Sequence, residues 1–594
     1  MIHSLDDVIF MKHNTKSCPV PAKRISVIIF LFLLFGSNAL TTQEPPIHNP
    51  KDIFQPVVAK HGMVSSANMY ATEAGLQVLK EGGNAIDAAV TVGFTLAATF
   101  PRAGNLGGGG FMLIYLADPK KMVAIDYREK APKAASRDMF LDESGNVDSE
   151  KSLHSLLAVG VPGTVAGLAM ALEKYGTMTL ERALEPAIEL AEKGFPIDSE
   201  LRRSLLSVKD RMMASPASMK IFYKGGGVSY DQGEIFKQED LAWSLKQIAR
   251  HGPIAFYKGK IAEKIVCYMK GGGGLITSED LASYNPVIRE PVHGTYRGYD
   301  IYSTPPPSSG GVHVIQMLNI LERFPRGLYG HNTAKTIHIL VETMKLAFAD
   351  RSKYLGDPDF VPVPVTGLIS KDYANELQRK LNTERATPSE KISPGTPGRN
   401  KEGVDTTHFS VIDRYGNAVS NTYTLNFSYG TKLTVPGTGI LLNNEMDDFS
   451  SKPGVPNAYG LIGGEYNSIE PEKRMLSSMT PTIVLKNGKP YLLTGSPGGS
   501  RIITAVLQII LNVIDFNMNI ASATNAVRVH HQWLPDEVVV EEGLNGDTVR
   551  IIREMGHRVV IGDTIGSTQS VMKIGYFLYG ASDPRTPGSL TLGY

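Results

Sequence analysis

Cysteine is scarce in this chain of 594 residues, which contains only Cys18 and Cys267. Cys18 lies in a predicted signal segment, so the mature chain would hold one cysteine and could form no internal disulfide. Its stability must therefore come from the size of its core. Cys267, in EKIVCYMK, is accompanied by no paired His or Asn motif, and we expect a buried, small apolar residue and not a nucleophile.

Net charge is nearly absent as well. The chain has 60 Lys and Arg residues against 59 Asp and Glu, which leaves a net charge of +1. This balance excludes the bulk basic surface that binds nucleic acid or an anionic membrane, so a small polar ligand is the better expectation. The sequence also lacks internal repeats and low-complexity stretches, and its 42% hydrophobic and 20% charged residues are typical of a globular protein.

The apolar run near the N-terminus is short. Lys23 and Arg24 precede the run ISVIIFLFLLF, and small residues at Ser37 and Ala39 follow it. A membrane-spanning helix needs roughly 20 apolar residues. Residues 1–39 are therefore predicted to be a signal peptide, and the protein to be exported, periplasmic or secreted. A retained membrane anchor is the alternative.

Helical patterns dominate residues 51–381. NMYATEAGLQVLK and AIDAAVTVGFTLAATF predict two packed helices, separated by a stop at Gly82 and Gly83 and a cap at Asn84. PGTVAGLAMALEKYG, GGVHVIQMLNILERF and AKTIHILVETMKLAFADRSKYL carry apolar residues at the same three-to-four spacing. From Asn382 to Asp405 the chain is rich in proline, glycine and charge, which predicts an exposed and mobile segment.

A β-rich unit begins directly after that segment, at Thr406. DTTHFSVID, the turn RYGN and AVSNTYTLNF predict a hairpin, and PTIVLKNGKPYLLTGS predicts a second one around Asn487-Gly488. A threonine released at this boundary would carry a nucleophilic hydroxyl and a basic amine on one residue. The pattern is that of a cleavage-activated enzyme. Alternatively, Thr406 is an ordinary β-branched residue at the start of a strand. If cleavage fell one residue later, Thr407 would be the nucleophile.

A series of motifs runs through nearly the whole chain after the signal segment: SSANMYATEAGLQVLKEGGNAIDAAV, NLGGGGFM, DYREKAP, VGVPGTVAGL, DTTHFSVID, GILLNNEMDDFS, LSSMTPTIV, GSPGGSRI and LTLGY. In this order they resemble the gamma-glutamyltransferases (gamma-glutamyltranspeptidases), members of the N-terminal nucleophile hydrolases. The resemblance implies an α/β fold, a four-layer αββα sandwich. It would be built from a large subunit, residues 40–405, and a small subunit, residues 406–594, which form a heterodimer after autocatalytic cleavage of one precursor.

The resemblance also implies a reaction. The hydroxyl of Thr406 would attack the preceding carbonyl of Asp405 and free its own amine. It would then take the γ-glutamyl group from glutathione or a related compound and pass it to water or to an amino acid or dipeptide acceptor. The family implies no cofactor, no metal and no nucleic acid partner.

Four family residues assigned to catalysis match positions of this chain. Thr406 is the nucleophile, and Thr424 would support it from the neighbouring strand. Gly498 and Gly499 precede the predicted helix IITAVLQIILNVI and would form an oxyanion hole, because amides at a helix N-terminus stabilise a developing negative oxygen.

The substrate-binding residues follow the same resemblance. Arg128, whose planar fork of donors suits a carboxylate, would bind the α-carboxylate of the substrate, and Asp448 would pair with its α-ammonium. The other assignments are Ser477 and Ser478 for the carboxylate, Glu445 and Asn426 for the ammonium, and Tyr459 as the gating aromatic of a lid loop, residues 450–467.

Two further motifs receive structural interpretations. NLGGGGFM, with glycines 107–110, lacks the Lys-Ser/Thr of a phosphate loop, so we expect a close backbone approach near the substrate pocket. His530 and His531 are predicted on a helix, with no carboxylate or third ligand at metal spacing, and are interpreted as ordinary histidines.

Two rival functions remain open. A cephalosporin or glutaryl acylase shares the fold and the nucleophile but acts on acyl groups without an α-amine, for which Asp448 would be a gratuitous buried charge. The second rival is a non-catalytic binding protein whose chain is never cleaved. Such a protein would run as a single band on a denaturing gel.

Overall fold

Two seven-stranded antiparallel sheets organise the protein. The structure, a computed structural model, describes residues 53–397 and 408–594. The predicted signal peptide, Asp405, Thr406 and Thr407 lie outside the described residues, and so does the last part of the polar segment before them. Residues 54–594 belong to one structural unit.

Each sheet combines strands from distant parts of the sequence. In spatial order, the first sheet contains β1 (Val57–Ala59), β20 (Phe577–Ser582), β19 (Gln569–Ile574), β15 (Lys489–Thr494), β14 (Thr482–Lys486), β9 (Tyr299–Ser303) and β8 (Val292–Tyr296). The second contains β21 (Leu590–Gly593), β2 (Met63–Ser66), β10 (His408–Ile412), β11 (Ala418–Thr424), β3 (Gly109–Leu116), β4 (Lys121–Asp126) and β7 (Val287–Arg289). Smaller sheets are formed by β5 (Phe195–Pro196) with β6 (Ile235–Phe236), by β12 (Thr434–Val435) with β13 (Ile440–Leu441), and by β16 (Val529–His530), β17 (Val538–Glu541) and β18 (Val559–Gly562).

The helices lie mainly before residue 381. They are α1 (Met69–Lys80), α2 (Ala85–Thr99), α3 (Ser149–His154), α4 (Thr164–Tyr175), α5 (Leu180–Lys193), α6 (Ser199–Met212), α7 (Pro216–Phe222), α8 (Glu239–His251), α9 (Ile254–Tyr257), α10 (Lys260–Gly271), α11 (Ser278–Ser283), α12 (Gly310–Leu321), α13 (Ala334–Tyr354), α14 (Val365–Leu368), α15 (Lys371–Lys380), α16 (Arg501–Ile514), α17 (Ile520–Asn525) and α18 (Gly546–Glu554). The five helices predicted by apolar spacing correspond to α1, α2, α4, α12 and α13. Asn68 and Asn84 cap the first two, and Asn84 forms a capping box with Asp87.

The core is divided by the two sheets. Leu113 and Ile412 of the second sheet pack against Ile483 and Leu493 of the first, so the sheets face each other across an apolar layer. The outer face of the second sheet packs against a cluster that includes α1, α2 and α4. The outer face of the first packs against a cluster built on α12, α13 and α16. Each sheet is thus covered by helices on one side and by the other sheet on the other.

Both predicted hairpins are confirmed. Strands β10 and β11 pair antiparallel with Ile412 opposite Ala418, and their outer neighbours are β2 and β3. Strands β14 and β15 flank a turn in which Asn487 and Gly488 have φ of 52° and 69°, as a two-residue hairpin turn requires. The β10–β11 hairpin therefore lies in the middle of the second sheet, between strands that precede residue 400.

Part of the polar segment is not exposed as expected. Ser389 and Ile392 are buried. The amide of Ser389 donates to the Asp536 carboxylate at 2.8 Å, the Trp533 indole donates to the Ser389 carbonyl at 2.9 Å, and the amide of Gly395 donates to Asp350 at 2.8 Å. The prediction of an exposed segment is wrong for Ser389, Ile392 and Gly395, because side chains distant in sequence supply the partners that local composition lacks.

Two single-residue predictions need correction. Cys267, expected to be buried, is exposed on α10, since it falls on the polar side of that helix. His530, expected on a helix, ends strand β16, and His531 follows it. In the described part of the chain, no helix is both long and apolar enough to span a bilayer.

Candidate active site

The predicted nucleophile precedes β10 in the sequence by two residues. Thr406 itself lies outside the described residues, but the start of β10 is well defined by His408. Its Nδ1 lies 3.0 Å from the Thr422 hydroxyl and its Nε2 lies 2.9 Å from the Ser410 hydroxyl. Burial lowers the pKa of His408 to about 3, so the ring is neutral. The strand start is thus fixed by a buried, uncharged hydrogen-bond network.

Thr424 and Asn426 close the neighbouring strand. The Thr424 hydroxyl accepts the amide of Asn426 at 2.8 Å, and the Asn426 side chain donates to the Asn444 carbonyl at 2.9 Å. Asn426 adopts a left-handed φ of 74°. The glycine run lies directly against this bend, since a Cβ at Gly108 would stand 1.8 Å from the Thr424 carbonyl oxygen. The prediction of a close backbone approach at the glycine run is confirmed.

Gly498 and Gly499 lie where the sequence predicted, just before α16. Their φ values are 130° and 56°, and their carbonyls accept the amides of Arg501 at 3.1 Å and Ile502 at 3.2 Å. Within residues 53–397 and 408–594, neither glycine amide has an acceptor. Two amides at the N-terminus of a 14-residue helix are a favourable place for a negative oxygen.

A single cavity brings these groups together. Thr424, Asn426, Gly498, Gly499 and Tyr459 all line a space of about 460 Å³, which is large enough for a small peptide substrate.

Tyr459 covers one side of this cavity. Its ring stacks on Phe427 with centroids 4.5 Å apart, and its hydroxyl donates to the Asn426 carbonyl at 3.1 Å. A Cβ at Gly499 would lie 2.6 Å from the same ring. The predicted lid aromatic therefore lies directly against Gly499, one of the two predicted oxyanion glycines.

Arg128 is the centre of a buried ionic cluster. Its Nη1 lies 2.5 Å from Glu445 Oε1, its Nη2 lies 2.6 Å from Asp448 Oδ2, and Glu129 Oε2 is 3.2 Å from Nη1. All four side chains are buried. Arg128 follows β4, where its amide is held by Asp126 at 3.0 Å, and Glu445–Asp448 form a 3₁₀ turn. Two motifs more than 300 residues apart thus meet in one cluster, which brings together Arg128, Glu445 and Asp448, three residues predicted to bind the substrate.

Glu129 was not predicted from the sequence as part of this site. Burial raises its pKa to about 7, although the Arg128 guanidinium opposes the shift. The negative charge of Asp448 adds to the effect of burial in raising this pKa. Its position next to Arg128 in the motif DYREKAP was the one sequence feature that could have identified it.

Ser477 and Ser478 are buried and are held by another arginine. Arg351 donates to the Ser477 carbonyl at 3.2 Å and lies 3.5 Å from the Ser478 hydroxyl, and Ser309 donates to the Ser477 carbonyl at 2.6 Å. Among the described residues the Ser477 hydroxyl has no hydrogen-bond partner. Arg351, on α13, was also missed, because a charged residue in a long helix gives no sequence signal for burial.

His530 and His531 each contact a neighbouring polar side chain. His530 contacts the Thr504 hydroxyl at 2.9 Å, and His531 lies 3.2 Å from Asp536. Another set with ligand-type atoms close together is formed by His338, Glu342 and His557. The Lys345 ammonium lies 3.0 Å from Glu342 and so supplies the positive charge that a metal ion would bring. We interpret this set as a hydrogen-bonded network.

The two glycine amides and the cluster of opposite charges around Arg128 suit an enzyme that transfers an acyl group bearing both a carboxylate and an amine. The family model Gamma-glutamyltranspeptidase matches residues 71–592, and the chain belongs to this family.

Individual proteins agree with this assignment. The glutathione hydrolase proenzyme of Escherichia coli (strain K12) is 51% identical over 580 residues, covering 97% of this chain and all of that protein. A cephalosporin acylase from Bacillus halodurans superposes with a TM-score of 0.82 at 29% identity, covering 93% of this chain and 99% of that one. Gamma-glutamyltranspeptidase from Helicobacter pylori superposes with a TM-score of 0.55 at 48% identity, covering 59% of this chain and 97% of that one.

Proposed function

We propose that the protein is a glutathione hydrolase and γ-glutamyltransferase that is made as a precursor and cleaves itself before Thr406. The observation that carries the proposal is the buried contact of Arg128 with Glu445 and Asp448. A γ-glutamyl group presents an α-carboxylate and an α-ammonium on one carbon, and this cluster offers a partner for each. Substrate binding would exchange one set of ion pairs for another, so no buried charge would lose its partner.

Self-cleavage would begin at the peptide bond between Asp405 and Thr406. The Thr406 hydroxyl attacks the Asp405 carbonyl, the peptide bond breaks, and the acyl group moves from nitrogen to oxygen. Water then hydrolyses the ester, which leaves a carboxylate on Asp405 and a free α-amine on Thr406. That amine can accept the hydroxyl proton in later turnovers.

The transfer reaction would use the same hydroxyl. Thr406 attacks the γ-carbonyl, the oxyanion is stabilised by the amides of Gly498 and Gly499, and the leaving amine takes a proton as the γ-glutamyl ester forms. Water or an acceptor amine then attacks this ester and restores the hydroxyl. Thr424 would support the nucleophile, and Ser477 and Ser478 would assist Arg128 on the carboxylate.

We further infer the finer architecture. Helices, two facing sheets and helices correspond to the four-layer αββα sandwich of the N-terminal nucleophile hydrolases, with a large subunit of residues 40–405 and a small subunit of residues 406–594. The solved Helicobacter pylori chain supports this division, because nearly all of it matches only 59% of this chain. Export, to a periplasm or out of the cell, is proposed from the N-terminal apolar run alone.

An acylase is the second candidate, and the superposition on the Bacillus halodurans cephalosporin acylase favours it. The two enzymes would differ in their need for an α-amine. For an acyl group without this amine, Asp448 and Glu445 would be buried without a cationic substrate group to bind, at a cost in stability. We therefore prefer the γ-glutamyl substrate.

The first prediction tests cleavage and substrate together. Mass spectrometry of the wild type should give two chains, the smaller beginning at Thr406, while Thr406→Ala should stay intact and inactive. The wild type should hydrolyse γ-glutamyl-p-nitroanilide and not glutaryl-p-nitroanilide, which lacks only the α-amine. The reverse preference would select the acylase, and one intact chain in both samples would refute the self-cleaving enzyme.

A further inference from the structure

Two arginines line the active-site cavity without a role in the reaction as described. Arg102 and Arg203 lie on the wall of the cavity that contains Thr424, Gly498 and Gly499. Arg102 precedes the glycine run, and Arg203 lies on α6. Their place in this cavity means that a substrate bound to the oxyanion glycines shares a space with both guanidinium groups.

The two arginines leave a surplus of positive charge. Both bind one carboxylate, that of Glu200, through Arg102 Nη1 and through Arg203 Nε at 3.1 Å. Glu200 is 4% exposed, whereas the side chains of Arg102 and Arg203 are 33% and 72% exposed. Two cations sharing one buried anion have a net charge of +1. Arg585, which also lines the cavity, is neutralised by Glu541 at 2.5 Å and Asp583 at 3.1 Å.

Hydrogen-bond donors also remain on Arg102. A guanidinium has five N–H donors, and the partners of Arg102 are Glu200 and, from Nη2 at a long 3.4 Å, the Ser428 hydroxyl. The donors and the charge of Arg102 are therefore only partly used by the protein.

The spacing suits a short peptide. Ser428 is four residues beyond Thr424, so the backbone between them spans at most about 14 Å. A dipeptide leaving group spans about 7 Å, which fits within that distance. The stacked rings of Phe427 and Tyr459 line the same cavity.

We propose that Arg102 and Arg203 form a subsite for the terminal carboxylate of the leaving group, which for glutathione is the glycine carboxylate of cysteinylglycine. This inference rests on the proposed function and adds a specificity to it. The enzyme favours γ-glutamyl peptides that end in a free carboxylate over γ-glutamyl compounds with an uncharged leaving group.

The test compares three donors: glutathione, its glycine monoethyl ester and γ-glutamyl-p-nitroanilide. Only the first carries the carboxylate. Arg102→Gln should lower kcat/KM for glutathione by about tenfold or more, the size of a lost hydrogen bond between charged groups. The ester and the anilide should be turned over at wild-type efficiency. Arg550→Gln, which removes an exposed arginine paired with Glu554 on α18, is the matched control and should change none of the three.

The anilide separates the possible failures. An equal loss on all three donors, or no loss on glutathione while the anilide is turned over, would overturn the subsite. If Arg102→Gln does not fold because Glu200 loses a partner, Arg203→Gln, at a more exposed position, is the second variant. It should also lower kcat/KM for glutathione, by a smaller factor, and leave the ester and the anilide unchanged. If the wild type fails to turn over the anilide, the proposed function is refuted and the subsite with it.

Discussion

At the scale of single residues, the site is governed by how buried charges are paired. Arg128 is one cation among Glu129, Glu445 and Asp448, and burial raises the pKa of Glu129 in this cluster. Because the folded-state pKa of Glu129 is raised from 4.5 to about 7, the folded protein binds the proton more tightly than the unfolded chain between these values. This group's contribution to stability therefore falls as pH rises from about 4.5 to 7.

Glu129→Gln should remove this dependence, since glutamine resembles the protonated form. As pH rises from 5 to 8, the melting temperature of the wild type should fall relative to that of the variant. Thermal denaturation of both proteins across this range measures it. The absence of any trend would show that Glu129 stays ionised in the folded protein, as the nearby guanidinium alone would favour.

At the scale of elements, α16 and the loop over it depend on one glycine. Gly499 combines a left-handed φ of 56° with a Tyr459 ring that leaves no room for a Cβ. The same residue presents one of the two amides at the helix N-terminus. Local backbone shape, lid packing and the proposed oxyanion contact are therefore linked at this position.

Gly499→Ala should destabilise the protein by about 1–3 kcal/mol, the usual cost of a strained backbone position. Turnover should fall by at least tenfold because the amide moves with the backbone. Thermal denaturation and γ-glutamyl-p-nitroanilide kinetics measure the two effects. Adding Tyr459→Ala removes the clash but not the φ strain, so it should recover part of the stability. A fully active Gly499→Ala would contradict the link.

The elements also show what the sequence could predict. The helix cap at Asn84, the turn at Asn487 and the glycine pair before α16 depend on neighbours within a few residues, and these predictions are confirmed. Ser389, Arg351 and His530 depend on partners far away in the chain, and their environments were missed. Cys267 was expected to be buried from its residue type, but it lies on the exposed face of α10. The position of Thr406 remains a prediction, because it lies outside the described residues.

At the scale of the whole molecule, the chain is interleaved. Hairpin β10–β11 pairs on one side with β2 and on the other with β3, and β14, β15, β19 and β20 pair with β1 or β9 from the other part of the chain or with one another. The pairings of β10 with β2 and of β11 with β3 cross the proposed cleavage point, and they are made of backbone hydrogen bonds in the middle of the second sheet.

The two subunits should therefore stay together after cleavage. Size-exclusion chromatography of the processed protein should give one peak containing both chains, which separate only on a denaturing gel. The uncleaved Thr406→Ala variant, with all its strands joined, should elute at the same volume. Release of the small chain under native conditions would contradict the interleaved arrangement.

The central position of the β10–β11 hairpin affects whether the protein can refold after cleavage. While the chain is whole, β10 finds its place between β2 and β11 as part of one molecule, at a speed set by loop closure. Once the bond before Thr406 is cut, unfolding separates two molecules that must meet again by diffusion and reinsert strands into the middle of a sheet. We therefore expect unfolding of the cleaved enzyme to be irreversible. Its lifetime should depend on its unfolding rate and not on its equilibrium stability.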